Sequence, residues 1–316
     1  MAVTGAKGTI LVTGSNGGLG SAIVEQIASK PELSAYHGLY TVRDTTHTPA
    51  LTSALTRHPA HSHDIVGFDL TKLDSVRQVA KEINARVSTN EIPPIRALIL
   101  NAGFQDFDKE TGRIIVVGSY SHDPKDPRCV RTSAFNAPEH KAFVSDAASF
   151  EAIAKGRWSP ATEDAGFRGG FRRYGAAKLF LIMMQHELQT RLNADATLRK
   201  ICLLGVDPGG MITSMTRYAP WVIRVLVAKV IYPALLYINS NNGVVRPTSR
   251  SAGDILEAAF RSGEEGQLPK DKYYDGREPL ETSEESRDEA KRKLVWEETV
   301  KLAGLREGET VLSNWQ

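Results

Sequence analysis

Cysteine is nearly absent: Cys129 and Cys202 are the two in a chain of 316 residues. Two are too few for a disulfide scaffold and fit a reducing compartment, so a cytoplasmic location is expected. An excess of one charge is also missing, since 39 Lys and Arg against 37 Asp and Glu leave a formal +2. That balance gives no electrostatic footprint for nucleic acid. Residues 1–8 lack the apolar core of a signal peptide. Nor is there a clean apolar run of the about 20 residues that a spanning helix needs. The most apolar stretch, residues 218–238, is broken by Arg224 and Lys229 and punctuated by Pro220 and Pro233. It reads as a pair of buried or lid helices, one form of which covers a lipophilic pocket; attachment to a membrane surface is the weaker alternative. His58, His61 and His63 stand close together but lack a nearby cysteine or carboxylate-bearing helix. They read as a solvated loop, and no metal is expected.

What is present suits a globular core: 41% hydrophobic and 24% charged residues. Apolar runs at 9–12, 39–42, 65–68, 97–100, 114–117 and 201–206 read as strands. After the first, Leu19, Ile23, Val24 and Ile27 fall at helical spacing until Pro31. Thr71 and Asp74 make a capping-box pattern before a helix running to about residue 87. Its expected apolar face is Leu73, Val76, Val79, Ala80 and Ile83. Continuous apolar strands between amphipathic helices are strands covered on both faces. That is a three-layer, doubly wound, mostly parallel α/β fold of Rossmann type. Residues 121–173 read as an irregular excursion, and the mixed-charge run 278–293 as a solvated helix. A single nucleotide-binding domain over 1–316 is expected, with 214–316 forming a substrate lid and C-terminal extension within it.

Residues 13–20, Thr-Gly-Ser-Asn-Gly-Gly-Leu-Gly, join the first strand to the first helix. Glycine there permits positive φ and lets backbone approach a phosphate, while the helix N-terminus offers free amides and partial positive charge. Gly14, Asn16, Gly18, Leu19 and Gly20 are therefore the candidate dinucleotide contacts. Arg43 follows the second strand, where a guanidinium clamps a 2′-phosphate. NADP(H) is favoured, and the neighbouring Asp44 keeps NAD(H) open. Asp69 after the third strand either contacts the adenine edge or caps a helix.

Tyr174 and Lys178 lie four apart, on one face if the segment is helical. An ammonium beside the phenol is expected to lower its pKa from about 10 and to bind the nicotinamide ribose. Tyr174 then exchanges a proton with a C–O oxygen as hydride moves at carbon. Ser119, after the strand 114–117, sits where ligands bind in such sheets, and Ser121 is its rival. His186 reads as packing or surface, and Cys202 as a small core residue.

These residues resemble those of the short-chain dehydrogenase/reductase family over most of the chain. The likeness rests on the turn at 13–20, Asn101-Ala102-Gly103, Ser119, Tyr174, Lys178, and Pro208, Gly209 and Thr213 in family order. The resemblance implies that Asn101 supports the sheet at the cofactor and that Thr213 contacts the carboxamide side of nicotinamide. Arg172-Arg173-Tyr174-Gly175 and Leu294-Val295-Trp296 are similar to fungal members related to retinol dehydrogenases, many of them in secondary metabolism. One departure stands out. The family places a long helix between the Asn-Ala-Gly motif and the serine strand; it carries a catalytic asparagine and helps build the dimer interface. Here only residues 104–111 connect Gly103 to Gly112, without an asparagine. Parallel strands ordinarily need a crossover of a dozen or more residues, and ten extended residues reach about 33 Å.

A truncated or spliced product is the favoured explanation; a natural variant and a non-catalytic relative are the others. The missing helix argues against a homodimer. The expected activity is NADP(H)-dependent interconversion of a ketone and a secondary alcohol on a lipophilic small molecule. The alternatives are an impaired nucleotide-binding relative and, on size less fitting, a sugar-nucleotide epimerase or dehydratase.

Overall fold

The computed structural model describes residues 5–67, 69–70, 72–101, 112–211, 245–260 and 269–316. Residues 218–238, Thr213 and the link 104–111 therefore lie outside the described residues. The chain divides into two compact units, residues 1–117 with 208–268, and residues 118–207 with 269–316.

The first unit is built on strands β1 (Thr9–Val12), β2 (His37–Val42), β3 (His63–Gly67), β4 (Ile95–Leu100) and β5 (Arg113–Val117). They pair in parallel in the order β3-β2-β1-β4-β5. Every residue of β1 and β2 is buried, as strands covered on both faces must be. β3, at the edge, leaves Ile65 exposed. Four helices alternate with these strands: α1 (Gly18–Ser29), α2 (Pro31–Ser34), α3 (Pro49–Thr56) and α4 (Leu73–Ser88). Val79 and Ile83 of α4 pack on Leu11, Leu39, Ile95 and Leu98, and each such side chain contributes about 1.5–3 kcal/mol.

The expected capping box of Thr71 and Asp74 rests on Thr71, which lies outside the described residues. Lys72 is the N-cap of α4 with extended backbone and no side-chain cap bond. Leu73 is 46% exposed and Ala80 is exposed, because the buried stripe of α4 runs through Val79 and Ile83. The histidine loop also differs from expectation. His61 is buried with Nε2 at 2.7 Å from the Tyr40 hydroxyl, and His58 pairs with Glu25 at 2.9 Å.

In the second unit, helices α5 (Pro127–Thr132) and α6 (Ala147–Ala154) interrupt what reads in sequence as an irregular stretch. Asp146 and Ser149 cap α6 reciprocally. Helix α7 (Phe167–Ala194) begins well before Tyr174. Its start is stitched down by Arg172, which reaches Ser159 at 2.7 Å, the Ala134 carbonyl at 3.1 Å and Asp164 at 2.8 Å. Strands β6 (Cys202–Asp207), β7 (Lys272–Asp275) and β8 (Glu278–Pro279) follow, β6–β7 parallel and β7–β8 antiparallel. In the first unit, helix α8 (Thr248–Phe260) packs on α1.

The C-terminal charged run is not one solvated helix. It holds β8 and then α9 (Glu284–Arg287) and α10 (Glu289–Ala303), with Val295 and Trp296 buried. Phe135, Phe143, Phe150, Leu179, Met183 and Val295 form this unit's core. Among the described residues no helix is long and apolar enough to cross a membrane.

Candidate active site

The glycine turn belongs to the first unit and is shaped by missing side chains. Gly14 has φ +65°, in the left-handed region. A Cβ on Gly20 would lie 2.2 Å from the Gly14 carbonyl oxygen and 2.9 Å from Ser15 Cα, so α1 starts tight against the turn. Asn101 at the end of β4 donates from Nδ2 to the carbonyls of Thr13, at 3.0 Å, and Gly14, at 3.2 Å. It thereby ties the end of β4 to the turn. Gly17 caps α1 with no side-chain hydrogen bond, and the first turn contains no acidic residue. Uncapped amides, no competing negative charge and a turn without side-chain bulk fit an anionic pyrophosphate.

The remaining candidates of this unit divide. Leu19 is buried in the core. The Asn16 side chain accepts from the Ala50 and Leu51 amides at 3.1 and 3.2 Å and donates to the His47 carbonyl at 3.2 Å, so it fastens the start of α3. Arg43 is 79% exposed, with Nε 3.9 Å from Asp69 Oδ1. That is the form of a guanidinium open to a partner at the end of β2, and it places the Asp69 carboxylate beside Arg43.

The proton-transfer candidates all lie in the second unit. Tyr174 and Lys178 share a face of α7, and Lys178 Nζ is 5.6 Å from the centroid of the Tyr174 ring. The Tyr174 hydroxyl is hydrogen-bonded to the Ser119 side chain. Ser119 caps the 3-10 turn Tyr120–His122 that follows β5 in the chain. Its rival Ser121 is fully buried and bonds Ser119 itself, Oγ to Oγ at 3.0 Å. Ser119 is thus the serine at the phenol.

The electrostatics correct one expectation. Burial is the leading influence on Tyr174 and raises its pKa; the Ser119 hydrogen bond opposes this and the Asp207 charge adds to it. Lys178 is itself pushed down to about 8 by burial, with Asp207 raising it against that trend. Desolvation disfavours both charged forms and is the leading influence on each. The phenol is a proton carrier at neutral pH rather than a standing phenolate.

Asp207 is the group that sequence reasoning missed. It ends β6, fully buried, and accepts from the Tyr120 amide at 2.9 Å. Arg128 on α5 lies 3.5 Å from it, 2.8 Å from Asp275, and grips Asp126 at 2.9 and 2.8 Å. The same guanidinium stands 4.2 Å over the Tyr120 ring. Burial alone would lower the Arg128 pKa, but the three carboxylates raise it overall. The available signal was position: Asp207 directly precedes Pro208 and Gly209 at a strand's carboxyl end.

His122 was missed too. Its Nε2 faces the Ser283 amide at 3.2 Å, which can only donate. Nδ1 therefore carries the proton and gives it to the Ser119 carbonyl at 2.6 Å. His186, by contrast, spans Asp271 and Thr282 at 2.7 and 2.8 Å, a packing role.

A family model described as short chain dehydrogenase matches residues 8–116. The short-chain dehydrogenase iccH of Talaromyces variabilis is 35% identical over 363 residues, covering 98% of this chain and 99% of that protein. The chain belongs to the short-chain dehydrogenase/reductase family. It is accordingly an oxidoreductase.

A second fungal member of the family, the short chain dehydrogenase yanD of Aspergillus niger, is 25% identical over 92% of this chain and 89% of its own. In fold, the chain resembles the NADPH-bound carbonyl reductase from chicken fatty liver, with a TM-score of 0.54 at 15% identity over 87% of this chain and 98% of that one. The carbonyl reductase Sniffer of D. melanogaster gives 0.52 at 15% identity, over 86% and 98%. The alignment with the Talaromyces dehydrogenase is longer than the chain itself, so that relative carries residues with no counterpart here.

Proposed function

We propose that this dehydrogenase uses NADP(H) to interconvert a ketone and a secondary alcohol on a lipophilic small molecule. One observation carries the reading: a neutral, largely buried phenol bonded to a serine hydroxyl, with an ammonium 5.6 Å from its ring on the same helical face. Tyr174 is the acid-base group. Its raised pKa keeps the proton in place at neutral pH, which suits ketone reduction. Tyr174 donates to the oxygen of the carbonyl, and Ser119 beside it orients that oxygen. Lys178, held near pH 8 between charged and neutral forms, binds the nicotinamide ribose as an ammonium.

The turn at Gly14, Gly18 and Gly20 holds the pyrophosphate, and Arg43 takes the 2′-phosphate. The NADPH in the chicken carbonyl reductase supports this choice by fold likeness alone. Bound NADPH supplies the hydride. Thr213, by family resemblance, meets the carboxamide side of the nicotinamide. The fungal relatives support a place in secondary metabolism.

The test is NADPH oxidation across a panel of ketones, by the wild type and by Tyr174→Phe. Loss of about 10²–10⁴-fold in turnover with cofactor binding intact is expected. Unchanged turnover in that variant overturns the assignment.

A second reading is favoured by one observation, the residues of the Talaromyces relative that are missing here. If they belong at the ten-residue stretch between Asn101 and Gly112, the chain is a nucleotide-binding form without the family's asparagine relay. Cofactor binding without turnover on any ketone supports it, and a transcript with an additional exon between codons 104 and 111 identifies the truncation.

A further inference from the structure

The Ser119 oxygen is the meeting point of three donor-capable groups. The Ser121 amide reaches it at 3.2 Å, the Ser121 hydroxyl at 3.0 Å, and the Tyr174 phenol bonds it from α7. A hydroxyl has two lone pairs and one proton. An amide only donates, so one lone pair of Ser119 is taken by the Ser121 N–H. The Ser121 hydroxyl is fully buried and bonds only Ser119 among the described residues. Reversed, that bond would leave a buried proton with no acceptor. Ser121 therefore donates, and the second lone pair of Ser119 is taken as well.

The turn that presents Ser121 is clamped from two sides. His122 ties the Ser119 carbonyl at 2.6 Å and is itself held by the Ser283 amide. Gly175, the residue after Tyr174, has no side chain; a Cβ there would lie 2.5 Å from the Ser121 carbonyl oxygen. The backbone of the turn thus rests directly on the helix that carries the phenol.

We propose that Ser121 is a positioning residue that makes Ser119 a donor only, leaving the Tyr174 proton for the substrate oxygen. Ser119 keeps a single proton, which goes to the phenol oxygen, and the phenol proton has no lone pair on Ser119 to turn back to. The inference rests on Tyr174 being the acid-base group. Other titratable groups stand around the phenol: Lys178 on its own helix, Asp207 from β6 and Tyr273 from β7, with His122 on the adjoining turn bonded to the Ser119 carbonyl and packed on Tyr273. Arg128 stands behind Asp207 with Asp126 and Asp275.

The experiment compares wild type, Ser121→Ala and Ser121→Thr. Ionisation of Tyr174 is read without substrate, as the ultraviolet difference titration of each protein against its Tyr174→Phe counterpart. In Ser121→Ala, Ser119 regains a lone pair, accepts from the neutral phenol and no longer favours the phenolate. Tyr174 is then expected to ionise at higher pH than in the wild type. Ketone reduction should fall about tenfold in kcat, the weight of one oriented hydrogen bond, with KM for NADPH and the unfolding temperature unchanged. Ser121→Thr should restore both. A Ser121→Ala titration that overlays the wild type overturns the proposal. If the threonine does not fit, the alanine titration decides by itself. A wild type that reduces no ketone defeats the carbonyl-reductase reading, while the titration still decides the role of Ser121.

Discussion

The two halves of the chemistry are built by opposite means. In the first unit the turn proposed to hold the nucleotide is made by leaving side chains out: positive φ at Gly14, no Cβ at Gly20, no side-chain cap on α1. In the second unit the proposed proton-transfer site is made by packing charge into the interior, with Asp207, Arg128, Asp126 and Asp275 grouped near Ser119, Tyr174 and Lys178. A site of backbone and bare glycines tolerates no added bulk but carries few charges to misplace. A site of buried charges is sensitive to every sign. The first is set mainly within eight residues, with Asn101 as a distant tie; the second exists only once α5, α7, β6 and β7 have met.

The difference is sharpest at Arg128, where the largest effect is expected. Arg128→Met leaves three carboxylates around an uncharged side chain, and breaking such a buried cluster costs about 3–5 kcal/mol. Thermal or urea unfolding measures it; a loss within 0.5 kcal/mol, a surface-like value, would show that the cluster is hydrated rather than buried. Gly20→Ala comes next. Its methyl meets the backbone of Gly14 and Ser15 most closely, with the Asn101 amide next, so overpacking of about 1–3 kcal/mol is expected, together with weakened NADPH binding in a fluorescence titration. A variant that binds as the wild type breaks the account of the turn.

Arg43→Ala should leave stability within about 0.5 kcal/mol, since the side chain is exposed, and cost about tenfold in NADPH affinity with little change for NADH. Equal losses for both cofactors would remove Arg43 from the 2′-phosphate. The gentlest probe is Asp207→Asn, which keeps an acceptor for the Tyr120 amide and removes only charge. Asp207 raises the Lys178 pKa against burial, so the variant should lose the ammonium at lower pH. The alkaline fall in reductase activity should then begin below the wild-type pH of about 8. A pH profile unmoved by the substitution separates Asp207 from Lys178.

Much of this was legible beforehand, for identifiable reasons. β1 and α1 fall where the apolar runs and the glycine turn put them, because both signals are local. Tyr174 and Lys178 share a helix face because four residues make nearly one turn. Their pKa directions were not legible. The expectation of an acidified phenol weighed the neighbouring charge and could not weigh desolvation, which depends on what α7 packs against. Sequence favoured Ser119 over Ser121 by its place after the strand and in the family order, but only the folded turn shows that Ser121 bonds Ser119. The solvated reading of the histidine loop failed for a related reason: His61 turns inward to the Tyr40 hydroxyl of β2, a contact 21 residues away in the chain.

The sequence alone determined the family, the mostly parallel α/β class of the sheet, the glycine turn after the first strand and the helical pairing of Tyr174 with Lys178. Each is written in short-range spacing, and short-range spacing survives folding unchanged. Tertiary structure alone decided which groups are charged. It brought Asp207 near the phenol with Arg128 behind it, and it partly buried Tyr174 and Lys178. Protonation depends on solvent and on distance through space, and neither is a property of the chain until it folds.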